Sequence, residues 1–177
     1  MKNVLITGKP GVGKSTLVRR LIELARSKGF KVGGLSTPEM RVGGRRVGFK
    51  LVDIATGDEG VLAKIGIRGP MVSKYGVNLN DLRRVGVGAI KRAMMESDLI
   101  IIDEIGKMEL FSEEFKQAVV EALNSEKPVV ATIGKLLRDP FVKEILSRKD
   151  VLLFEITVRN RDEILYEISR VVLGGGN

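Results

Sequence analysis

The chain of 177 residues contains no histidine and no cysteine, two side chains that carry much of enzyme chemistry. Without histidine there can be no Ser-His-Asp triad, no imidazole base and no histidine-bound metal ion. Without cysteine there can be no disulfide bond and no thiolate metal ligand. Any general base must therefore be an aspartate, glutamate, lysine or tyrosine side chain.

Aromatic residues and long apolar runs are also scarce. Tryptophan is absent and aromatic residues make up 5% of the chain, which argues against base-stacking platforms for nucleic acid. Apolar runs such as Leu99 to Ile102 are much too short to span a bilayer. The N-terminal run Val4 to Ile6 is too short for the core of a signal peptide. We therefore expect a cytoplasmic protein without membrane contact, and we expect a monomer.

The formal net charge is +8, from 30 lysine and arginine residues against 22 aspartate and glutamate residues. A surplus of positive charge favours anionic ligands, and nucleotide sites themselves need cations. A nucleic-acid partner stays open but is not favoured, because the aromatic side chains that would stack on bases are few.

Short apolar segments alternate with amphipathic segments along most of the chain. This alternation predicts an α/β fold with a mostly parallel sheet and helices on both of its faces. The length fits one domain, which we place at 1–173. The glycine-rich end at 174–177 is interpreted as a flexible tail.

One region departs from the alternation of apolar and amphipathic segments, and its pattern predicts an antiparallel extension of the sheet. Gly43-Gly44 separates candidate strands at 34–42 and 45–54, a pattern typical of a β-hairpin. A further candidate strand follows a second turn. We therefore expect a β-hairpin extension over 34–66.

Residues that favour helix ends stand at the predicted helix boundaries. The first helix is expected to begin near Lys14, with Gly29 as its C-terminal cap. Capping residues indicate four further helix starts. These are Asn80 or Asp81, Ser112, Asp139 before Pro140, and Asn160, which with Glu163 resembles a capping box.

The segment from Gly8 to Ser15 matches the phosphate-binding pattern G-x-x-x-x-G-K-[ST] in full. It follows a predicted strand and opens an amphipathic helix, the context that this pattern requires. Its glycines let backbone N–H groups approach phosphate oxygens, and the helix N-terminus adds partial positive charge. Lys14 can reach the β- and γ-phosphates, Ser15 can ligate Mg²⁺, and Thr16 either touches the α-phosphate or serves only the helix start. The predicted nucleotide-binding residues are Gly8, Lys9, Pro10, Gly11, Val12, Gly13, Lys14, Ser15 and Thr16.

Two acidic residues end the apolar strand that begins at Leu99. Asp103 is expected to hold the Mg²⁺ shell, while Glu104 can orient a water molecule and accept its proton. In a chain without histidine, Glu104 is the leading candidate for the general base. Thr132 lies on the next predicted strand, where its hydroxyl either senses the γ-phosphate or attacking water, or bonds to a neighbouring backbone group.

Phosphoryl transfer also gains from a cation near the developing negative charge. Lys107 is the favoured catalytic cation because it lies three residues beyond Glu104. For each candidate arginine, a solvated surface position is at least as good an interpretation. These candidates are Arg41, Arg45, Arg46, Arg138 and Arg148. Asn160-Arg161 follows the last predicted strand, where a base pocket could form, although helix capping by Asn160 is an equal alternative.

The residues that follow Asp103 and Glu104 indicate a particular protein family. From Asp103 to Leu110 the sequence is DEIGKMEL, which together with the phosphate loop closely resembles the thermophile-type nucleoside-triphosphatase family, including the cancer-related nucleoside triphosphatase. Further matching stretches are Gly43 to Phe49 and Arg148 to Val151. The resemblance covers nearly the whole chain, and the acidic stretch is far more selective than the phosphate loop.

This resemblance implies a RecA-like P-loop fold and Mg²⁺-dependent hydrolysis of ATP, GTP and other nucleoside triphosphates to the diphosphate and phosphate. It implies that Lys14 contacts the phosphates and that Glu104 activates water. It also implies Mg²⁺ contacts from Ser15 and Asp103. Two alternatives stay open: a nucleotide or small-molecule kinase, and a nucleic-acid-associated ATPase.

Overall fold

The computed structural model describes residues 2–174 and shows one mixed sheet flanked by helices. Its strands are β1 Asn3–Gly8, β2 Val32–Ser36, β3 Glu39–Val42, β4 Arg45–Asp53, β5 Glu59–Lys64, β6 Met71–Val72, β7 Tyr75–Val77, β8 Leu99–Ile105, β9 Val129–Gly134 and β10 Val151–Glu155. Its helices are α1 Lys14–Ser27, α2 Leu79–Asp81, α3 Gly88–Glu96, α4 Glu113–Asn124, α5 Pro140–Leu146 and α6 Arg161–Val172. A π-helical segment, Leu82–Val87, joins α2 to α3, and a 3₁₀ turn spans Glu109–Phe111.

The parallel part of the sheet has the order β10-β1-β9-β8-β2, and the antiparallel part continues it as β4-β5-β7-β6, with β3 paired to β4. The predicted mostly parallel α/β fold with helices on both faces of the sheet is thus confirmed. Strand β9 lies between β1 and β8. The phosphate loop after β1 and the acidic end of β8 therefore face each other across one strand, at the carboxyl edge where ligands bind.

Alternate residues of the central strands feed two hydrophobic cores, one on each face of the sheet. On β8, Ile100 and Ile102 join the core that packs against α3, α4 and α5. Leu99 and Ile101 point the other way, into the core beneath α1 and α6. All four side chains are fully buried. Because both faces of the strand are buried, its sequence is a continuous apolar run.

The strand predicted at 34–42 is wrong as a single element. Val32–Ser36 pairs in parallel with β8, whereas Glu39–Val42 pairs antiparallel with β4. Gly34, with φ of 119°, packs so closely on β8 that an added Cβ would lie 1.9 Å from the carbonyl oxygen of Ile101. The first half of the segment is therefore part of the parallel sheet. The predicted hairpin turn at Gly43-Gly44 is confirmed, with positive φ at both glycines.

Most predicted helix ends are confirmed. Gly29 follows α1 with φ of 88°, and the Phe30 amide bonds to the carbonyl of Ala25, as in a Schellman motif. Ser112 and Asp139 cap α4 and α5 by accepting hydrogen bonds from backbone amides, at 3.1 and 2.8 Å.

Two helix starts differ from the prediction. The helix expected from Asn80 or Asp81 begins earlier, because Asn78 is the cap and accepts a hydrogen bond from the amide of Asp81. The capping box at Asn160 is wrong. Its side chain points back to the end of β10, accepting from the Thr157 amide at 2.6 Å and donating to a carbonyl of that strand.

No helix within residues 2–174 is both long and apolar enough to cross a membrane. The predicted tail at 174–177 lies outside the described residues except for Gly174.

Candidate active site

The phosphate loop runs from the end of β1 into the first turn of α1. Gly11 and Gly13 adopt φ of 78° and 105°, values that L side chains rarely adopt. No side chain caps the first turn of α1, so its backbone N–H groups are free to point at an anion. The Nζ atom of Lys14 lies 2.9 Å from the carbonyl oxygen of Gly8, which holds this cation inside the loop.

The loop between β10 and α6 braces the phosphate loop from the outside. A Cβ on Gly8 would lie 2.9 Å from the carbonyl oxygen of Ile156, and a Cβ on Gly13 would lie 2.8 Å from a guanidinium nitrogen of Arg161. Arg161 also approaches the carbonyl of Val12 at 3.4 Å. Gly8 is thus required by the backbone beside it, and Gly13 by its positive φ. Arg161 lies beside the phosphate loop, on the side where a base pocket was considered.

Three oxygen-bearing side chains from three different elements meet beside this loop. Oδ1 of Asp103, near the end of β8, accepts a hydrogen bond from Thr132 at 2.7 Å and lies 3.4 Å from Ser15 Oγ. Thr132 is fully buried on β9, and its hydroxyl is satisfied by this carboxylate rather than by a backbone group. We call Ser15, Asp103 and Thr132 the oxygen cluster.

Glu104 reaches the same region because the pairing of β8 with β9 changes register there. Ile102 pairs with Ala131 and Ile105 with Ile133, so two residues of β8 lie opposite the single residue Thr132. Burial raises the pKa of Glu104 above its ordinary value, the positive charge of Lys14 lowers it in part, and the adjacent Asp103 carboxylate raises it again. The predicted base thus experiences the opposing charges of Asp103 and the phosphate-loop lysine.

Sequence reasoning missed Glu109, although it belongs to the DEIGKMEL stretch. This side chain is 2% exposed, and burial with the nearby Glu104 charge raises its pKa to about 8. Its Oε2 atom has no hydrogen-bond partner within residues 2–174. Nothing in the local pattern marks it, because a glutamate side chain is almost never fully buried unless it is paired.

The structure does not bring the remaining candidates into one place. Lys107 is exposed and lines a cavity of about 430 Å³ with Arg138. Arg46 is held away by an ion pair with Glu39 and a hydrogen bond to the hydroxyl of Tyr75. The exposed hydroxyl of Thr16 accepts a hydrogen bond from Arg19 and contacts none of the groups above.

The chain is similar to known proteins over nearly its whole length. A family profile described as NTPase matches residues 3–169. The nucleoside-triphosphatase THEP1 of Thermofilum pendens is 50% identical over 173 residues, which cover 97% of this chain and 95% of that protein.

Two solved structures share the fold. The crystal structure of THEP1 from Aquifex aeolicus superposes with a TM-score of 0.80 at 35% identity, covering 94% of this chain and 96% of that one. The solution structure of a human cancer-related nucleoside triphosphatase gives a TM-score of 0.84 at 36% identity, with both chains fully covered.

Proposed function

This chain belongs to the nucleoside-triphosphatase family that it matches over nearly its full length, and from that premise we propose that it hydrolyses ATP, GTP and other nucleoside 5′-triphosphates with Mg²⁺. The products are the diphosphate and inorganic phosphate. The observation that carries this proposal is the placement of Glu104 beside the oxygen cluster and within the electrostatic influence of Lys14. Glu104, the oxygen cluster and Lys14 would thus surround the γ-phosphate of a bound nucleotide.

The oxygen cluster fits Mg²⁺. Hydroxyl and carboxylate oxygens are the ligands that this hard cation prefers, and it is commonly held by one or two protein oxygens together with substrate phosphates. Ser15 and Asp103 supply those oxygens, while Thr132 orients the carboxylate. When bound, the ion neutralises charge that develops on the β- and γ-phosphates.

Glu104 has the position and the chemistry of the general base. In a chain without histidine, a partly buried carboxylate with a raised pKa is a suitable proton acceptor near neutral pH. We propose that it orients the attacking water and takes its proton, while Lys14 and the amides of the phosphate loop hold the phosphates.

The test is phosphate release from a panel of nucleotides with Mg²⁺ by the parent, Glu104→Gln and Lys14→Ala. We expect Glu104→Gln to bind nucleotide normally and to lose about 10²- to 10⁴-fold in kcat, the usual contribution of a general base. Lys14→Ala should weaken binding about 10- to 100-fold, because a charge-assisted hydrogen bond to phosphate is lost. The exposed Glu167→Gln is the matched control and should behave as the parent. Near-parent turnover by Glu104→Gln would remove Glu104 from this role.

Product analysis separates hydrolysis from transfer to an acceptor. The cavity lined by Lys107 and Arg138 is the feature that gives a kinase its best support, because two cations there face a space large enough for a small anion. Nucleotide loss that yields a phosphorylated acceptor without free phosphate would favour the kinase. Turnover that rises with RNA or DNA and falls steeply with salt would favour a nucleic-acid-associated ATPase. The monomeric state and the cytoplasmic location stay predictions.

A further inference from the structure

Glu109 is a fully buried acid for which the hydrolytic scheme so far has no use. It begins the 3₁₀ turn that follows β8, and 2% of the residue is exposed to solvent. Its Oε2 atom is the one buried side-chain oxygen or nitrogen within residues 2–174 that lacks a hydrogen-bond partner. Leaving such a group unpaired costs about 1–3 kcal/mol, so its retention in the core calls for a reason.

The nearest charged neighbour of Glu109 is the proposed base. Gly106 lies between the two acids, and a Cβ built on it would lie 3.2 Å from Oε1 of Glu104 and 3.2 Å from Oε1 of Glu109. The two carboxyl groups therefore border the same space, which a side chain at Gly106 would fill. The charged groups that act on Glu109 are Glu104 and, more weakly, Asp103, both of them acids.

Two carboxyl groups that share a water-poor site do not both ionise easily. Burial raises the pKa of both acids, but the positive charge of Lys14 offsets part of the rise at Glu104, whereas Glu109 is the more buried and its pKa is raised to about 8. The proton therefore belongs on Glu109 at neutral pH. A protonated carboxyl group is a hydrogen-bond donor as well as an acceptor.

We propose that Glu109 is a positioning residue for Glu104: its carboxyl group keeps a proton and donates a hydrogen bond to the Glu104 carboxylate, directing that carboxylate at the attacking water. The inference rests on the proposed function, because Glu109 acts only through Glu104. It assigns the acid of the K-M-E-L segment to the hydrolytic site, which would otherwise end at Glu104.

The first test compares two substitutions of similar size. Glu109→Gln keeps a hydrogen-bond donor, whereas Glu109→Met keeps the volume and removes it. We expect Glu109→Met to lose about 10- to 100-fold in kcat with KM unchanged, in the range for groups that orient a functional residue. Glu109→Gln should keep most of the activity. Parent-like kcat in a folded Glu109→Met variant, or equal losses in both variants, would overturn the proposal.

The pH dependence tests the donor directly and does not need the methionine variant to fold. With no histidine in the chain, no side chain of ordinary pKa titrates between about pH 5 and 8. The ratio of parent kcat to Glu109→Gln kcat should fall as pH rises through about 8, because only the parent loses its donor there. A ratio that stays constant across this range would contradict the proposal. Infrared difference spectra of parent minus Glu109→Gln should show a protonated carboxyl band at neutral pH. The absence of this band would also contradict the proposal.

A double variant separates this inference from the proposed function. If Glu109 acts through Glu104, the loss caused by Glu109→Met should largely disappear in a Glu104→Gln background. An undiminished loss in that background would overturn the positioning role while leaving Glu104 as the base. Near-parent activity of Glu104→Gln alone would instead overturn the proposed role of Glu104, and this inference with it.

Discussion

Thr132 on β9 donates a 2.7 Å hydrogen bond to Oδ1 of Asp103, which lies near the acidic end of β8. The same Oδ1 atom lies 3.4 Å from Ser15 Oγ at the start of α1. One carboxylate oxygen therefore links the strand that carries the acids, the strand beside it and the helix of the phosphate loop. The hydroxyl of Thr132 fixes the direction in which that carboxylate faces.

Removing this hydroxyl should loosen the metal site without opening a cavity. Thr132→Val keeps the shape of the buried side chain and deletes only the donor. We expect the Mg²⁺ concentration for half-maximal phosphate release to rise about 10- to 100-fold, as for other groups that orient a metal ligand. The measurement is a Mg²⁺ titration at saturating nucleotide.

Thr132→Ser is the matched control, because it keeps the hydroxyl and loses only a methyl group. It should need much less Mg²⁺ than Thr132→Val for the same rate. Identical Mg²⁺ requirements for the parent and Thr132→Val would show that the hydrogen bond has no part in holding the ion.

A methyl group at Gly13 should damage nucleotide binding more than it damages the fold. Its φ of 105° costs an L residue about 1–3 kcal/mol, and the loop would relieve this strain by leaving the conformation that presents its amides to the phosphates. We expect Gly13→Ala to weaken nucleotide binding at least about tenfold, since 1.4 kcal/mol corresponds to a factor of ten. Binding of a non-hydrolysable triphosphate measures the effect.

Gly88→Ala is a suitable comparison for that experiment. Gly88 begins α3, has nothing within 4 Å of an added Cβ, and needs no positive φ. This substitution should raise the melting temperature, because alanine is favoured over glycine in a helix by about 1 kcal/mol. If Gly13→Ala lowers the free energy of unfolding by as much as it weakens the free energy of nucleotide binding, general destabilisation rather than the loop geometry would explain the binding loss.

The parts of the fold that depend on short-range rules could be predicted from the sequence. Gly43-Gly44 supplies the positive φ values of a hairpin turn, and Ser112 and Asp139 each accept from a nearby amide. Within the phosphate loop, fixed spacing places Lys14 at the first helical turn. Each of these outcomes is decided within a few residues along the chain.

The parts that depend on distant partners could not be predicted. Gly33 and Gly34 have no apolar side chains, yet they form a strand that pairs with β8, because Gly34 lies directly against the backbone of Ile101 and Gly33 leaves room for α3. Asn160 has the sequence of a helix cap but bonds back to the end of β10. Glu109 is buried although it lies in a short 3₁₀ turn after β8. In the candidate site, the sequence indicated Glu104 but gave no sign of its acidic neighbour.

The buried ion pair between the extension and α3 should matter far more for stability than the ion pairs on the surface. Asp53 is almost fully buried, pairs with Arg92, and accepts hydrogen bonds from the amides of Ala55 and Thr56. We expect Asp53→Ala to lower the free energy of unfolding by about 2–4 kcal/mol, since these donors lose their acceptor while the partly exposed arginine regains water. Urea denaturation measures the difference.

Asp162→Ala provides the contrast within the same chain. Its partner Arg20 and its own carboxylate are both exposed, so that water replaces the ion pair when it is removed. We expect an unchanged denaturation midpoint for this variant. Equal destabilisation by Asp53→Ala and Asp162→Ala would mean that burial of the first pair does not determine its effect.

Stability itself should report the protonation of Glu109. The unfolded chain releases this proton near its ordinary pKa of 4.5, whereas the native protein keeps it up to about pH 8. Between these values the native state binds more protons than the unfolded state, so its free energy of unfolding falls as pH rises. Relative to Glu109→Gln, the parent should lose up to about 1.4 kcal/mol per pH unit within this window and nothing outside it.

Denaturant titrations of the parent and Glu109→Gln at matched pH values measure this difference. Because the chain has no histidine, the comparison is not masked by imidazole groups that titrate in the same range. Between about pH 4.5 and 8 the free energy of unfolding of the parent should fall progressively relative to that of Glu109→Gln. Below and above this window the two stability curves should run in parallel. Curves that keep a constant separation throughout would place the Glu109 carboxyl in contact with solvent and remove the physical basis for its retained proton.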